Sequence, residues 1–328
     1  MATTQIRSEV IVDALQLACR APSLHNSQPW RWVITDHAVE LFVDPSRLVL
    51  SADSTGRQAM ISCGAVLDHF RVAMAAAGWE TSVNRVPDPA DPLHLATITF
   101  APAHSVSDRQ KRRADAILSR RTDRLPLAEP PDVDRLSAGL GGDDHQGVVR
   151  LDLIAEHLRS ALAEASHLTE VLRLFDTGYH DELCWWTEQF VSDAGIPVTS
   201  LISAPESDRV DMGRTFPVTR QPERRTELNE DRSRILVLST ADDSSESVLR
   251  CGEALSAVLL DATTAGLATC TVTHLTEVPS GRDVVAALIG GQILPQVLVR
   301  VGRAPALEST PPPTPRRHVK DVLEIRRG

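Results

Sequence analysis

The chain has 328 residues, 42% apolar and 24% charged, with a net charge of −10, so it can bury a substantial core in one or two domains and disfavours nucleic acid as its main partner. Five scattered cysteines (Cys19, Cys63, Cys184, Cys251, Cys270) with no CxxC pair argue against a disulfide framework or zinc site, and no histidine spacing suits a metal. No uncharged apolar run approaches the length of a membrane span, so a cytoplasmic protein with no metal and no membrane is expected.

Residues 7–20 place Val10, Ile11, Ala14, Leu15, Leu17 and Ala18 at helical spacing and halt before Pro22. Trp30–Ile34 and Val39–Val43 read as a strand pair, and residues 57–77 as an apolar-rich helix capped by Gly78. Strands are expected at 81–86 and 95–100. A second helix-first unit opens at 109–119 and stops in Arg120-Arg121-Thr122-Asp123-Arg124 before Pro126. Asp143-Asp144-His145 reads as loop, followed by a strand at 148–154 and helical patterns at 157–174 and 181–192. Residues 195–231 hold four prolines, many charges and no periodicity. Regular structure resumes with a strand at 235–239, a helix at 245–265, a strand at 269–273, a helix at 281–289 and a strand at 296–301. A proline-rich stretch then leads into Arg316-Arg317-His318-Val319-Lys320.

Cys63, Gly64, Leu67, Ala77, Gly78 and Thr81 recur as Cys251, Gly252, Leu255, Ala265, Gly266 and Thr269, every pair 188 positions apart. Either two Ala/Leu-rich helices match by chance, or the chain holds two copies of one unit that can pair about a pseudo-twofold. On the second reading the halves are 1–105 and 106–328, with an insertion at about 157–231.

Between the first helix and strand lies Ala21-Pro22-Ser23-Leu24-His25-Asn26-Ser27-Gln28-Pro29-Trp30. Its prolines exclude a helix, and its hydroxyl, imidazole and amide groups present hydrogen bonds. It reads either as an ordinary capped loop or as a stiff platform for a planar, hydrogen-bonding heterocycle. If 120–124 is extended, Arg120, Thr122 and Arg124 point to one side. They form either a solvated basic turn at a helix end or two guanidiniums and a hydroxyl converging on one anion.

The loop resembles the Pro-Ser-x-x-Asn-x-Gln-Pro-Trp element of the FMN-dependent nitroreductase family. The longer strings 17–32 and 120–126 resemble the Acg-type NAD(P)H nitroreductases, over nearly the whole chain. The resemblance implies an α+β nitroreductase-like fold, duplicated within one chain as an intramolecular pseudo-dimer. It also implies that Ser23, His25, Asn26, Gln28, Pro29, Trp30, Arg31 and Trp32 form the flavin loop. Arg120, Thr122 and Arg124 match the family's Arg-x-Ser-x-Arg/Lys element, with Thr122 in place of serine. That element holds the FMN phosphate and sets a cation near the flavin N1–C2=O edge. Arg316 or Arg317 would close the phosphate site, and Lys320 reads as a solvated charge.

In homodimeric nitroreductases, loop and cradle come from different subunits; here one chain supplies both. The second half shows no second loop of this kind, and the first begins with only Arg7-Ser8. One FMN per chain is expected, in a monomer rather than an obligate dimer. Segment 175–190, with Tyr179, Trp185 and Trp186, reads as a lid over the flavin or as an aromatic patch on a core helix. The implied activity passes hydride from NADPH or NADH to the flavin and electrons on to a nitro compound or quinone. No protein acid or base is assigned, and no Rossmann glycine fingerprint occurs, so the nicotinamide would visit the flavin site itself. The alternative is a flavin-storing or flavin-sequestering protein with a covered, poorly accessible site.

Overall fold

A computed structural model describes residues 6–132, 147–187, 193–217, 219–309 and 311–326; Asp143-Asp144-His145 and the end of the 181–192 helical pattern lie outside them. The first unit comprises α1 (Ser8–Ala18), β1 (Trp30–Ile34), β2 (Val39–Val43), α2 (Arg57–Ala76), β3 (Trp79–Arg85) and β4 (His94–Pro102). The second opens with α3 (Asp108–Ser119), whose N-terminus is closed by a reciprocal Ser107–Gln110 capping box. It continues through β5 (Val149–Leu153), α4 (Arg159–Arg173), α5 (Thr177–Thr187), α6 (Ala204–Ser207), β6 (Arg234–Thr240) and α7 (Ser245–Thr264). Then come β7 (Ala268–Val272), α8 (His274–Glu277), α9 (Pro279–Leu288), β8 (Leu294–Gly302) and β9 (Leu323–Ile325).

The two sheets run β3-β4-β2-β1-β9 and β5-β6-β8-β7. With β9 set aside they have the same order, the same antiparallel pairings and a long helix between the second and third strands. Both central pairs also carry a register shift, at Leu41/Phe42 and at Leu238/Ser239. The 188-residue repeat is therefore a duplication of topology.

The repeated long helices, α2 and α7, cross at their repeated glycines. A Cβ on Gly64 would lie 2.1 Å from the Leu249 carbonyl oxygen, and one on Gly252 2.1 Å from that of Ile61. Each would also come within 2.8 Å of the other glycine's Cα. Ile61 and Leu249 are themselves 188 positions apart, so the contact is symmetric. Only residues without a Cβ allow backbones this close. Gly78 (φ +84°) and Gly266 (φ +73°) end the two helices in the left-handed conformation that glycine tolerates best.

One core packs α1 and α2 against the first sheet through Leu15, Trp30, Trp32, Leu67 and Phe70. The second sheet is covered on both faces, by α7 on one side and by α4, α8 and α9 on the other. That cover explains why β6 and β8 are buried along almost their whole length, whereas the edge strand β3 alternates. Among the described residues only α2 is long and apolar enough to cross a membrane, and 78% of that window is buried inside the protein.

The structure corrects several boundaries. Strands β3 and β4 are longer than 81–86 and 95–100, β7 ends one residue early at Val272, and the 181–192 pattern belongs to a helix that begins at Thr177. Among the described residues of 195–231 the only helical elements are a 3-10 turn, Val198–Ser200, and the short α6. The C-terminal β9 has no counterpart in the sequence reading. It pairs parallel to β1, Trp32 beside Leu323, on the edge that β1 leaves open. The tail of the 106–328 half thus returns to the first sheet, crossing the division drawn at 105/106. Three residues are too few to show a strand period, and the register is set by β1.

Candidate functional site

The loop after α1 is held by its own polar groups. Ser23 Oγ accepts from the Gln28 amide at 3.0 Å, and the Leu24 amide donates to Ser62 Oγ on α2 at 3.2 Å. His25 (φ 48°), Asn26 (φ 58°) and Gln28 (φ 53°) all take left-handed backbone without being glycine. Such residues persist only where surrounding contacts over-determine them, and they gather at functional sites. Asn26 Nδ2 donates to the Gly195 carbonyl at 2.9 Å and to that of Pro315 at 3.0 Å. Gln28 Nε2 donates to the Asp193 carbonyl at 2.8 Å, and its Oε1 accepts from the Arg317 amide at 2.9 Å. The loop is thereby clamped to the insertion on one side and to the C-terminal tail on the other.

Beside it, residues 120–124 run extended against β7. Thr122 bridges Thr269, and the Asp123 amide donates to the Thr269 carbonyl at 2.8 Å. Arg120, Thr122 and Arg124 line one cleft with the loop, and exposed Arg121 joins them at its rim while donating to the Pro311 carbonyl. Their backbone is fixed from behind by Arg300 on β8, which donates to the Leu125 carbonyl at 3.0 Å and pairs with Asp231 at 2.8 Å, both side chains fully buried. Arg225 does the same through Asp123 at 2.9 Å and the Pro126 carbonyl at 2.8 Å.

At the narrow end of the cleft three guanidiniums meet. Arg120 and Arg316 both donate to the Arg20 carbonyl, at 3.4 and 3.2 Å, and Arg20 lines the same space. None of the three is paired with a carboxylate among the described residues. Burial and then the Arg20 charge push Arg120 down to about 10; burial, then Arg120 and Arg20, push Arg316 down to about 9. The Nε atoms of all three are buried without a partner, as are both ring nitrogens of His25 and Oδ1 of Asn26. Buried polar atoms are seldom left unpaired, and these donors and acceptors around one cleft have the chemistry to meet an anion and a planar polar group.

The cleft widens between α2 and β7. Gln58, Ile61, Ser62 and Ala65 form one wall, Cys270 to His274 the other, and Ile196, Ile202, Val210 and Phe216 of the insertion close over it. His25 and Arg124 stand where the narrow and wide parts join. Burial, then Arg214 and Arg124, hold the His25 imidazole well below its ordinary range, leaving it neutral. Burial also lowers Arg124, whose guanidinium lies 5.1 Å from the Phe216 ring. The insertion is anchored by buried Arg214, which is ion-paired to Glu277 and donates to Tyr179 Oη.

The structure divides the sequence-predicted residues. Ser23, His25, Asn26, Arg120, Thr122, Arg124 and Arg316 line the cleft. Gln28, Pro29, Trp30, Arg31, Trp32 and Arg317 do not. Trp30 and Trp32 are wholly buried in the first core, because the alternation that marks their strand points them inward. Arg31 lies over the Phe42 ring and pairs with Glu324 on the outer face. Arg317 turns to Asp44 at 3.4 Å, which leaves Arg316 as the C-terminal arginine at the site. The aromatic helix is a core patch: Tyr179 and Trp186 pack with Val49, Ala52 and Leu183, and Trp185 points to solvent. The cover comes instead from residues 196–216. Arg20 and Arg300 were missed. Arg20 could have been noticed as the basic residue adjoining the Pro22 loop, whereas Arg300 lies in an apolar strand and carries no local signal.

The equivalent position in the other half is filled. Ala65 and Thr273 line the cleft; 188 positions away stand Glu253 and Arg85, joined bidentately at 2.7 and 2.8 Å. Glu253 is fully buried and also meets Arg71 at 3.3 Å. Where one half has small side chains and space, the other has an ion pair.

Over 326 residues the chain is 58% identical to the "Putative NAD(P)H nitroreductase acg" of Mycobacterium tuberculosis, covering 99% of this chain and 98% of that one. The chain belongs to the nitroreductase family. No family model matches it. Among solved structures, the FMN and NADPH-dependent nitroreductase NfnB of Sphigopyxis sp. strain HMH is 14% identical, with 65% of this chain and 97% of that one covered and a TM-score of 0.40. The FMN-dependent nitroreductase NfnB of Mycobacterium smegmatis, in complex with NADPH, is 15% identical, with 60% and 89% covered and a TM-score of 0.36.

Proposed function

We propose that this nitroreductase-family chain is an FMN-dependent NAD(P)H oxidoreductase holding one FMN per chain between its two halves. The observation that carries the reading is the cluster of buried Arg120 with half-buried Arg20 and Arg316, none paired with a carboxylate among the described residues. A phosphate dianion relieves that repulsion and accepts from the orphaned Nε atoms. Thr122 adds a hydroxyl to the cradle. Arg124 adds a buried cation at the mouth of the wide part, suited to negative charge on a ring seated there. His25 and Asn26 offer the orphaned nitrogens and oxygen to the polar edge of such a ring.

When bound, FMN supplies a two-electron centre that accepts hydride from NADPH or NADH and passes electrons to a nitro compound or quinone. The chain's own residues bind, orient and exclude water. The apolar insertion side chains keep solvent from the wide part, and no side chain is needed as an acid or base.

A second reading, flavin storage with little turnover, is favoured by one feature. The insertion over the cavity is locked by the buried Arg214–Glu277 pair rather than left as an open loop. Anaerobic mixing of the flavin-loaded protein with NADPH and then NADH separates the two. Rapid bleaching of the flavin band supports the reductase, and a flavin that reduces only with dithionite supports storage. Full FMN retention in an Arg120→Ala/Arg316→Ala variant would sink both readings.

A further inference from the structure

His274 opens α8 and forms part of the wall of the wide cavity, with only 1% of its surface exposed. Its ring is held from behind. Nε2 lies 2.7 Å from Ser166 Oγ on α4, and buried Ser166 does not line the cleft. The other ring nitrogen, Nδ1, is buried without a partner. Buried polar atoms are seldom left so, and this one belongs to a residue of the cavity wall. The duplication shows that packing does not call for an imidazole here. The residue 188 positions earlier is Val86. Ser166 lies on a helix between β5 and β6, whose counterparts β1 and β2 are joined by residues 35–38 alone.

We propose that His274, set by Ser166, is a hydrogen-bonding contact for the planar ring in the wide part of the cleft, offering Nδ1 to a polar atom of that ring. This contact rests on the FMN reading above and joins His25 and Asn26 from the β7–α8 wall. Ser166 touches no ligand; it is a positioning residue that acts through the imidazole. Burial, then Arg214 and Arg173, take His274 down to about 3, so the imidazole makes its contact uncharged. Ser166 Oγ can donate to Nε2 or accept from it, which leaves Nδ1 able to accept or to donate in turn. Among the described residues no carboxylate lines either part of the cleft. Two neutral imidazoles, His25 and His274, without a carboxylate suit an uncharged or anionic heterocycle bearing both donors and acceptors, and disfavour a cationic ring.

NMR of the full chain with isotope-labelled histidine rings tests this, the His274 signals being assigned by their loss in His274→Gln. FMN should move the His274 nitrogen resonances, and inorganic phosphate, which fills only the cradle, should leave them in place. His274→Phe fills the space without a polar atom. It should bind FMN and riboflavin about five- to tenfold more weakly, and Ser166→Ala likewise, with phosphate affinity unchanged. Retained phosphate affinity shows that the cradle of each variant is folded. His274 signals that ignore FMN, or that answer phosphate equally, overturn the inference, as does wild-type FMN affinity in both variants. A chain that takes up no FMN sinks the flavin reading first and this contact with it.

Discussion

Ser256 Oγ donates a 2.6 Å hydrogen bond to Asp68 Oδ2, and the two residues occupy the same position in the two copies of the long helix. The bond therefore sits on the pseudo-twofold axis, four residues along each helix from the Gly64–Gly252 crossing. Burial raises the Asp68 pKa, against the lowering influence of Arg113 and Ser256. Ser256→Ala should cost about 1–3 kcal/mol in denaturant unfolding, by leaving a buried carboxyl short of a partner. Gly64→Ala should cost at least as much, because its Cβ overlaps the Leu249 carbonyl. Wild-type stability in both variants would mean that the helices do not cross here.

The Glu253 carboxylate closes the cavity that the duplication would otherwise repeat. Glu253→Ala removes the partner of Arg85 in a buried site and should destabilise the chain by about 3–5 kcal/mol. Flavin content should stay at one per chain, since the second position lacks the cradle as well as the space. Two flavins bound per wild-type chain would contradict the ion pair's role.

Three buried histidines make the protein acid-sensitive. Burial, reinforced by neighbouring arginines, holds His25 and His69 well below their ordinary range and takes His274 down to about 3. The unfolded chain binds these protons near pH 6.5 and the native state does not. Stability is thus present above that pH and falls as pH drops from 6.5 towards 3, by up to about 1.4 kcal/mol per pH unit for each histidine. Urea midpoints at pH 7.5 and 5.5 check this. A His274→Gln variant, which can keep a bond to Ser166, should show a shallower fall.

The arginine cluster carries the same sign at high pH for stability and the opposite sign for anion affinity. Arg316 is pushed down to about 9 and Arg120 to about 10, so flavin-free protein sheds protons there while the unfolded chain keeps them. This cluster therefore adds stability as pH rises past 9, and affinity for a phosphate dianion weakens as its cations are lost. FMN titrations at pH 7.5 and 10 should differ several-fold, and Arg120→Ala should shrink that difference. Equal affinity at both values would show that the cluster stays charged.

The two halves of the site differ in how far they could be read from sequence. Arg120, Thr122 and Arg124 were legible together because extended backbone has a period of two, a rule local to five residues. The same rule misled at Trp30 and Trp32. Alternation says that two residues share a face, not whether that face meets a ligand or a core, and here it meets Phe70 and α2. Arg316 and Arg317 could not be separated in sequence. Only the pairing of β9 with β1 fixes the tail, turning one arginine to the cleft and the other to Asp44.

By itself the sequence showed the repeat at a 188-residue offset, the polar loop and the basic run at 120–124, with duplication and an extended cradle as one of two readings of each. Each rests on neighbours in the chain or on a repeat that can be counted. Tertiary structure alone decided which arginines meet, which residues roof the cavity, and that Glu253 and Arg85 fill its counterpart. Those contacts join residues 100 to 300 positions apart, and their partners are set by how sheets and helices pack rather than by any local spacing.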